Sequence, residues 1–141
     1  MQIDFIGDKK FIKFLKISKK KLDIMIKYFY TLHYIEEFSD IRIKIVDEKE
    51  IKSLNKKFRK KNKVTDVISF EDEGFGGDIA ITKSYIIIGD KFSEQNFFML
   101  LVHGILHLFG YSHYDKDNRE TMRFLENICM KNLGLKKTHE V

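Results

Sequence analysis

Apolar residues alternate with polar ones in some stretches of the chain and recur at helical spacing in others. Residues 1–6 and 41–46 alternate, which predicts two strands. Asp47 and Glu50 form a capping box, so a helix is expected from there to about Arg59. Between residues 10 and 38 helical spacing predicts a long basic helix, with apolar positions at Phe11, Phe14, Leu15, Leu22, Ile26 and Phe29.

The second half of the chain predicts two more strands and two helices. Residues 67–70 and 78–81 are short β-branched runs, separated by the glycine-rich stretch 71–77. Ser93 is expected to cap a helix over 94–109 that stops at Gly110, and Asp117 with Glu120 to open a last helix that ends at Gly134. The order predicts one mixed α/β domain over residues 1–141, with about four strands.

Composition excludes several classes of protein. Of the 141 residues, 43% are hydrophobic and 33% charged, so the chain can bury a core and is neither disordered nor fibrous. Its longest apolar run, residues 97–102, is too short to span a bilayer, and no signal-peptide region is expected. The single cysteine, Cys129, fits a reducing cytoplasm and is expected in the core rather than as a ligand.

The positive charge is concentrated in two windows. Residues 9–21 hold seven lysines, and residues 51–63 hold six lysines and Arg59, with no acid in either window. The net charge of the whole chain is +5, so the remainder is acidic. This segregation favours a polyanionic partner such as nucleic acid, although a lysine-rich surface also serves solubility.

Three histidines within eleven residues are the strongest chemical signal. His103 and His107 are four residues apart on a predicted helix, so their imidazoles project from one face. Gly110 permits a turn that returns His113 to the same point, as in the zincin-like spacing H-x-x-x-H-x-x-G-x-x-H. Three nitrogen ligands leave a fourth tetrahedral position open for water, which is typical of a catalytic zinc site. His33 and His139 lack such a context and are interpreted as ordinary surface or terminal residues.

The residue after the first histidine argues against a peptidase. Metalloproteases with this spacing place their general base, a glutamate, at that position, whereas this chain has Gly104. The basic helix offers another chemistry, because Arg59 can hold a phosphate bidentately while its lysines follow a nucleic-acid backbone. A metal together with an arginine favours phosphodiester hydrolysis, and a merely solvated helix face is the alternative for the lysines.

Together these segments resemble the YbeY-type endoribonucleases. The family pattern H-G-x-L-H-L-x-G-Y-D-H is similar to residues 103–113, and the pair Gly77-Asp78 with Ile79 matches a shorter signature. A further signature resembles Leu54, Asn55, Phe58, Arg59 and the stretch from Thr65 to Phe70. Two departures are visible: Ser112 stands where the family has aspartate, and Glu71 where it commonly has proline.

The resemblance implies a small α/β fold with a mostly parallel sheet covered by helices, and one zinc ion per chain, with another divalent transition metal as the alternative. It also implies cleavage of single-stranded RNA, in maturation of the small-subunit rRNA 3′ end and in ribosome quality control. The implied partners are rRNA and ribosomal particles, and no membrane.

The expected mechanism uses zinc on His103, His107 and His113 to activate water or to polarise a phosphoryl oxygen attacked by a ribose 2′-hydroxyl. Arg59 is the expected anion clamp. Thr65, Asp66 and Ser69 are expected to shape the loop beside the metal, where Asp66 is a candidate to receive a ligand N–H. Turn and strand-capping chemistry is the alternative for these three residues. Asp115 is expected to replace the aspartate missing at Ser112. The alternatives are a non-enzymatic zinc-bearing ribosome assembly factor and, less favoured, a metalloprotease-like hydrolase.

Overall fold

Alternating residues build a four-stranded mixed sheet at the centre of the molecule. The computed structural model describes residues 2–7, 11, 13–14, 16, 18–33, 40–72 and 76–140. Its elements are β1 (Gln2–Ile6), α1 (Lys19–His33), β2 (Asp40–Val46), α2 (Glu48–Arg59), β3 (Val67–Glu71), β4 (Gly77–Thr82), α3 (Lys83–Ile86), β5 (Ile87–Ile88), β6 (Lys91–Phe92), α4 (Glu94–Leu108) and α5 (Lys116–Asn132).

The strand order is β1-β2-β4-β3, and most of the sheet is parallel. β2 is parallel to both β1 and β4, whereas β3 is antiparallel to β4. This confirms the predicted α/β architecture and the mostly parallel sheet. A second, two-stranded sheet of β5 and β6 turns at Gly89, where φ is +64°. Neither these two short strands nor the single-turn α3 was predicted, because two to four residues are too few to show a period.

The alternation within the strands supplies a core on each face of the sheet. Ile43 and Ile79 point into the larger core, which helices α1, α4 and α5 cover. Ala80 and Ile68 point the opposite way and pack against Ile51 of α2. The sheet is therefore sandwiched between helices, and α4 lies against β3 and β4.

Two helix boundaries differ from those predicted. The helix expected from residue 10 to 38 is interrupted, because Ser18 forms a turn and α1 begins at Lys19. Its last predicted residues, 34–38, lie outside the described residues. The final helix begins at Lys116 rather than near Asp117, because Asp115 is the residue whose carboxylate accepts the backbone N–H of Asn118, at 2.8 Å.

Helices α4 and α5 end just before Gly110 and Gly134, as the sequence predicts. At both Gly110 and Gly134 φ is positive, at +92° and +72°. The two closing hydrogen bonds of a Schellman motif accompany each glycine, for example Gly110 N to His107 O at 3.0 Å and Tyr111 N to Leu106 O at 3.1 Å. No helix among the described residues has the length and apolar character that crossing a membrane requires.

Candidate metal centre

The end of α4 brings the three predicted histidines to one point. His103 and His107 lie one helical turn apart, and their Nε2 atoms are 3.1 Å from each other. The reversal at Gly110 returns the chain, so that His113 Nε2 lies 3.3 Å from His103 Nε2. The spacing of the three histidines therefore brings their Nε2 atoms together, as the sequence predicts.

The distances between these nitrogens fit a bound metal ion. Zn–N bonds of about 2.0–2.1 Å at tetrahedral angles place two ligand nitrogens about 3.3 Å apart. His103 and His107 each have their Nδ1 atom engaged with an acceptor, so their Nε2 lone pairs point at each other. Lone pairs that converge in this way repel one another unless a cation lies between them. The donor set of three imidazoles suits zinc and other late transition metals.

Hydrogen bonds to Nδ1 hold the two helical imidazoles in place. His107 Nδ1 donates to the carbonyl oxygen of Tyr111 at 2.9 Å, and His103 Nδ1 donates to Glu126 Oε1 at 3.2 Å. These acceptors select the tautomer that leaves each Nε2 atom free for a metal. The helix-ending turn thus supplies both the third histidine and the acceptor that orients the second.

Glu126 is a residue of the site that the sequence analysis does not identify. Its side chain on α5 is only 3% exposed, and its Oε2 atom accepts a hydrogen bond from His139 Nε2 at 2.9 Å. The interpretation of His139 as an ordinary terminal residue is therefore wrong. One signal was available: Glu126 falls on the apolar stripe of α5, with Met122, Cys129 and Met130 buried on the same face, and a carboxylate there needs buried partners.

The electrostatics of the cluster favour neutral imidazoles and an ionised carboxylate. Burial and the neighbouring His103 lower the pKa of His107 to about 4, and the same two causes lower the pKa of His113. Burial opposes ionisation of Glu126, but hydrogen bonds from His103 and His139 outweigh it and hold the pKa of Glu126 below its ordinary value. At neutral pH His107 and His113 are therefore unprotonated, as metal ligation requires.

The carboxylates proposed to support the histidines have other partners. Asp66 Oδ1 accepts the backbone N–H of Val67 at 2.8 Å, at the start of β3, although Asp66 also lines the cleft beside the histidines. Asp115 uses both carboxylate oxygens on Asn118, to cap α5. Neither bonds a histidine in the described part of the chain; Asp115 has both oxygens on Asn118, whereas Asp66 uses Oδ1 at the start of β3. Glu126 takes the place that we expected Asp66 to fill.

Ser69 and Thr65 fix the strand and loop that border the histidines. Ser69 Oγ donates to the carbonyl oxygen of Gly104 at 2.9 Å, which joins β3 to α4. The carbonyl oxygen of Thr65 accepts from Thr82 Oγ1 at 2.7 Å, which anchors the loop before β3 to the end of β4. Both residues line the cleft that contains the histidines.

The position of Gly104 explains why no glutamate follows the first histidine. A Cβ atom built there would lie 3.1 Å from both Ile79 Cγ2 and Ser69 Oγ, so this side of α4 packs directly on the sheet. A side chain at this position points into the core and away from the imidazoles. This close packing leaves little room for a glutamate beside the first histidine, which agrees with the absence of the metalloprotease general base from the sequence.

Arg59 and the histidines share one cleft of about 500 Å³. Arg59 is the last residue of α2 and is exposed. Its side chain forms no ion pair or hydrogen bond with any residue that the structure describes. Lys60 follows in the left-handed conformation, with φ at +58°, and ends the helix. Buried Asn55 holds this turn by donating from Nδ2 to Lys63 O at 2.9 Å. Glu71, one of the two departures from the family pattern, lines the same cleft.

Fold and site together define a small α/β protein with a three-histidine cluster that could hold a metal ion. Comparison with known proteins identifies its family: the model of the family "Endoribonuclease YbeY" matches residues 7–134. The chain therefore belongs to the endoribonuclease YbeY family, which confirms the resemblance seen in its motifs.

Individual relatives agree with this assignment. An endoribonuclease YbeY of Buchnera aphidicola subsp. Baizongia pistaciae is 35% identical over 119 residues, covering 77% of each chain. Another from Buchnera aphidicola subsp. Acyrthosiphon pisum is 39% identical over 110 residues, covering 70% of this chain and 71% of the relative. The solution structure of TM1509 from Thermotoga maritima matches with a TM-score of 0.55 at 27% identity, covering 94% of this chain and 90% of that one.

Proposed function

We propose that this protein is a metal-dependent endoribonuclease that cleaves single-stranded RNA. His103, His107 and His113 hold the metal, for which the donor set favours zinc, and Arg59 binds the scissile phosphate. The relatives named above carry the name endoribonuclease. We further propose the role that the family resemblance implies, in maturation of the small-subunit rRNA 3′ end and in ribosome quality control, with rRNA and ribosomal particles as partners.

One observation carries the proposal: an unpartnered arginine lines the same cleft as three converging imidazole nitrogens. Asp66 and Glu71 line the same cleft, yet the Arg59 side chain pairs with neither. A planar guanidinium with its donors free matches a phosphate group.

Each group then has a defined part in the reaction. When bound, the metal supplies Lewis acidity to a water or to a phosphoryl oxygen. The imidazoles bind it through Nε2, and Glu126 and Tyr111 O hold His103 and His107 in the required tautomer. Arg59 neutralises the charge that grows on the phosphoryl oxygens in the transition state.

The surroundings of the cleft suit a single strand of RNA. Exposed lysines follow Arg59 at positions 60 and 61, where they can contact backbone phosphates. Phe58 is 55% exposed and Tyr114 is 96% exposed, and both line the cleft. Exposed aromatic rings offer stacking surfaces to unpaired bases, which are not accessible in a duplex.

The test is single-turnover cleavage of a labelled single-stranded RNA by highly purified variants. His103→Ala should abolish cleavage, and Arg59→Ala should slow it by about 10²–10³-fold, as loss of a transition-state donor does. Arg59→Lys keeps the charge but loses the planar fork, so it should restore only part of the rate. Lys52→Ala, an exposed cation two helical turns earlier on α2, is the matched control and should cleave normally.

Stability measurements separate a catalytic from a structural arginine. Arg59 is exposed, so Arg59→Ala should cost about 0.5 kcal/mol or less in free energy of unfolding. A large fall in melting temperature with unchanged cleavage would show that Arg59 is structural. If the wild-type protein binds RNA and metal but does not cleave, the non-enzymatic assembly factor is the better description.

A further inference from the structure

The segment that follows α5 is held against the helices of the metal centre by side-chain amides. Gln95, in the first turn of α4, donates from Nε2 to Lys136 O at 2.9 Å and accepts from Lys136 N at 3.0 Å. Asn127 of α5 accepts the backbone N–H groups of Thr138 and His139 on its Oδ1 atom, at 2.9 and 3.0 Å. Asn127 Nδ2 also donates to His139 O at 2.9 Å. Five hydrogen bonds thus fix the backbone of residues 136–139.

This fixed backbone presents the imidazole of His139 to a buried carboxylate. Asn127, which binds the segment, directly follows Glu126 on α5. The same turn of helix therefore carries both the residue that holds the segment and the carboxylate that His139 contacts. His139 Nε2 lies 2.9 Å from Glu126 Oε2, and the side chain of Glu126 is 3% exposed. A carboxylate in that environment needs a donor on each oxygen, and the donors here are His139 and the metal-centre residue His103.

We infer that residues 136–139, acting through His139, position His103 for metal binding. The inference rests on the proposed metal centre and extends it to a part of the chain without a metal ligand. His139 is a positioning residue: it holds Glu126 in the orientation in which Oε1 receives the Nδ1–H of His103. Without His139, Glu126 Oε2 has no hydrogen-bond donor and the carboxylate can rotate. The orientation of His103 Nε2 is then no longer fixed.

The coupling must run in both directions. If docking of this segment strengthens metal binding by some factor, metal binding strengthens docking of the segment by the same factor. Loss of a hydrogen-bonding partner behind a metal ligand typically weakens metal affinity by about 10–100-fold. His139 contacts Glu126, the partner of the ligand His103, and not the ligand itself. We therefore expect metal affinity to change by about tenfold, the lower end of this range.

The first experiment measures zinc affinity of the full chain by competition with a chromophoric chelator. His139→Phe keeps a ring of similar size without a donor and should lower the affinity about tenfold, whereas His139→Gln keeps an N–H at the position of Nε2 and should restore it. Glu140→Gln, at a neighbouring position whose side chain is 98% exposed, is the control and should bind as wild type does. Melting temperatures of the zinc-free variants check that all of them fold.

The second experiment measures hydrogen exchange at the amides of Thr138 and His139, which donate to Asn127. Zinc should slow their exchange about tenfold in the wild type and leave it unchanged in His139→Phe. Equal zinc affinity in wild type and His139→Phe, with no effect of zinc on these amides, would overturn the inference and leave the proposed metal centre intact. Failure of the wild type to bind zinc would overturn both.

Discussion

Ser69 Oγ and the carbonyl oxygen of Gly104 are joined by a hydrogen bond of 2.9 Å, directly beside His103. This bond ties the edge strand β3 to the helix that carries two of the three histidines. It is possible because residue 104 has no side chain: a Cβ atom there would lie 3.1 Å from Ser69 Oγ. Gly104 stands where metalloproteases have a glutamate, and it is also the residue that lets α4 pack closely against the sheet.

Gly104→Glu is therefore expected to destabilise the protein instead of creating a peptidase. The new side chain would enter the core between Ile79 and Ser69, with a cost of about 3 kcal/mol or more in free energy of unfolding from overpacking and from burying a carboxylate. Urea unfolding of the purified variant measures this cost. Gly110→Asn, at an open left-handed position with nothing within 4 Å of its Cβ, is a control that should cost much less. A stable Gly104→Glu protein would show that α4 can move away from the sheet.

One transition-metal ion should bind per chain through the three histidines. Zinc would give ligand distances of about 2.0–2.1 Å in an X-ray absorption spectrum. His107→Ala removes the histidine whose ring is oriented by Tyr111 O, so elemental analysis should find most of the metal lost. His33→Ala serves as the control, since the structure places His33 at the end of α1 and outside the cluster. Full metal stoichiometry in the His107→Ala protein would contradict the assignment.

Cys129 should be chemically inert in the folded protein, even in mild alkali. Its side chain is fully buried, and burial raises the pKa of its thiol to about 12. Because the folded pKa lies above the unfolded value, this residue stabilises the fold below about pH 9 and its contribution falls as the pH rises further. A thiol reagent should therefore react slowly at pH 9 without denaturant and rapidly in guanidinium chloride. Fast reaction under native conditions would show that α5 opens readily.

The two basic windows should contribute unequally to RNA binding. Lys21 Nζ lies 3.4 Å from Glu94 Oε2, at the first residue of α4, whereas His107 lies thirteen residues further along the same helix. At 1.5 Å per residue, Glu94 lies about 14 Å along the helix from His103 and about 20 Å from His107, so Lys21 is remote from the histidine cluster. Lys60 and Lys61, by contrast, directly follow Arg59.

Lys60→Ala with Lys61→Ala should therefore lower the slope of log affinity against log salt by about one unit. Lys19→Ala with Lys20→Ala, in the remote window, should change the slope much less. Fluorescence anisotropy of a labelled single strand at several salt concentrations measures both slopes. Equal decreases would mean that RNA crosses both windows, and no decrease in either would contradict a role for the lysines in RNA binding.

The parts of the site that could be predicted are those encoded by local spacing. His103 and His107 meet because of helix geometry, and His113 joins them because Gly110 permits a turn, so eleven consecutive residues contain the whole arrangement. The four main strands were likewise visible, since Ile43 belongs to an alternating run and Ile79 to a short β-branched run.

The parts that escaped prediction depend on contacts between residues distant in sequence. Glu126 lies 23 residues from His103, and His139 lies 13 residues further, so no local pattern relates them to the histidines. Asp66 and Asp115 had the right chemistry, and Asp115 also lies close to the motif in sequence, but each accepts a backbone N–H at the start of an element. Only the folded structure shows which carboxylate remains available.

The closeness of the three histidines along the chain has a consequence for when the metal ion can bind. An ion that joins residues at most ten apart cross-links only a short loop, so it restricts the unfolded chain far less than a link between distant segments would. The sheet and its two cores contain none of these ligands and should form without the ion. Loading can therefore follow folding, and the share of metal-bearing molecules in a cell should depend on metal supply at that moment rather than at synthesis.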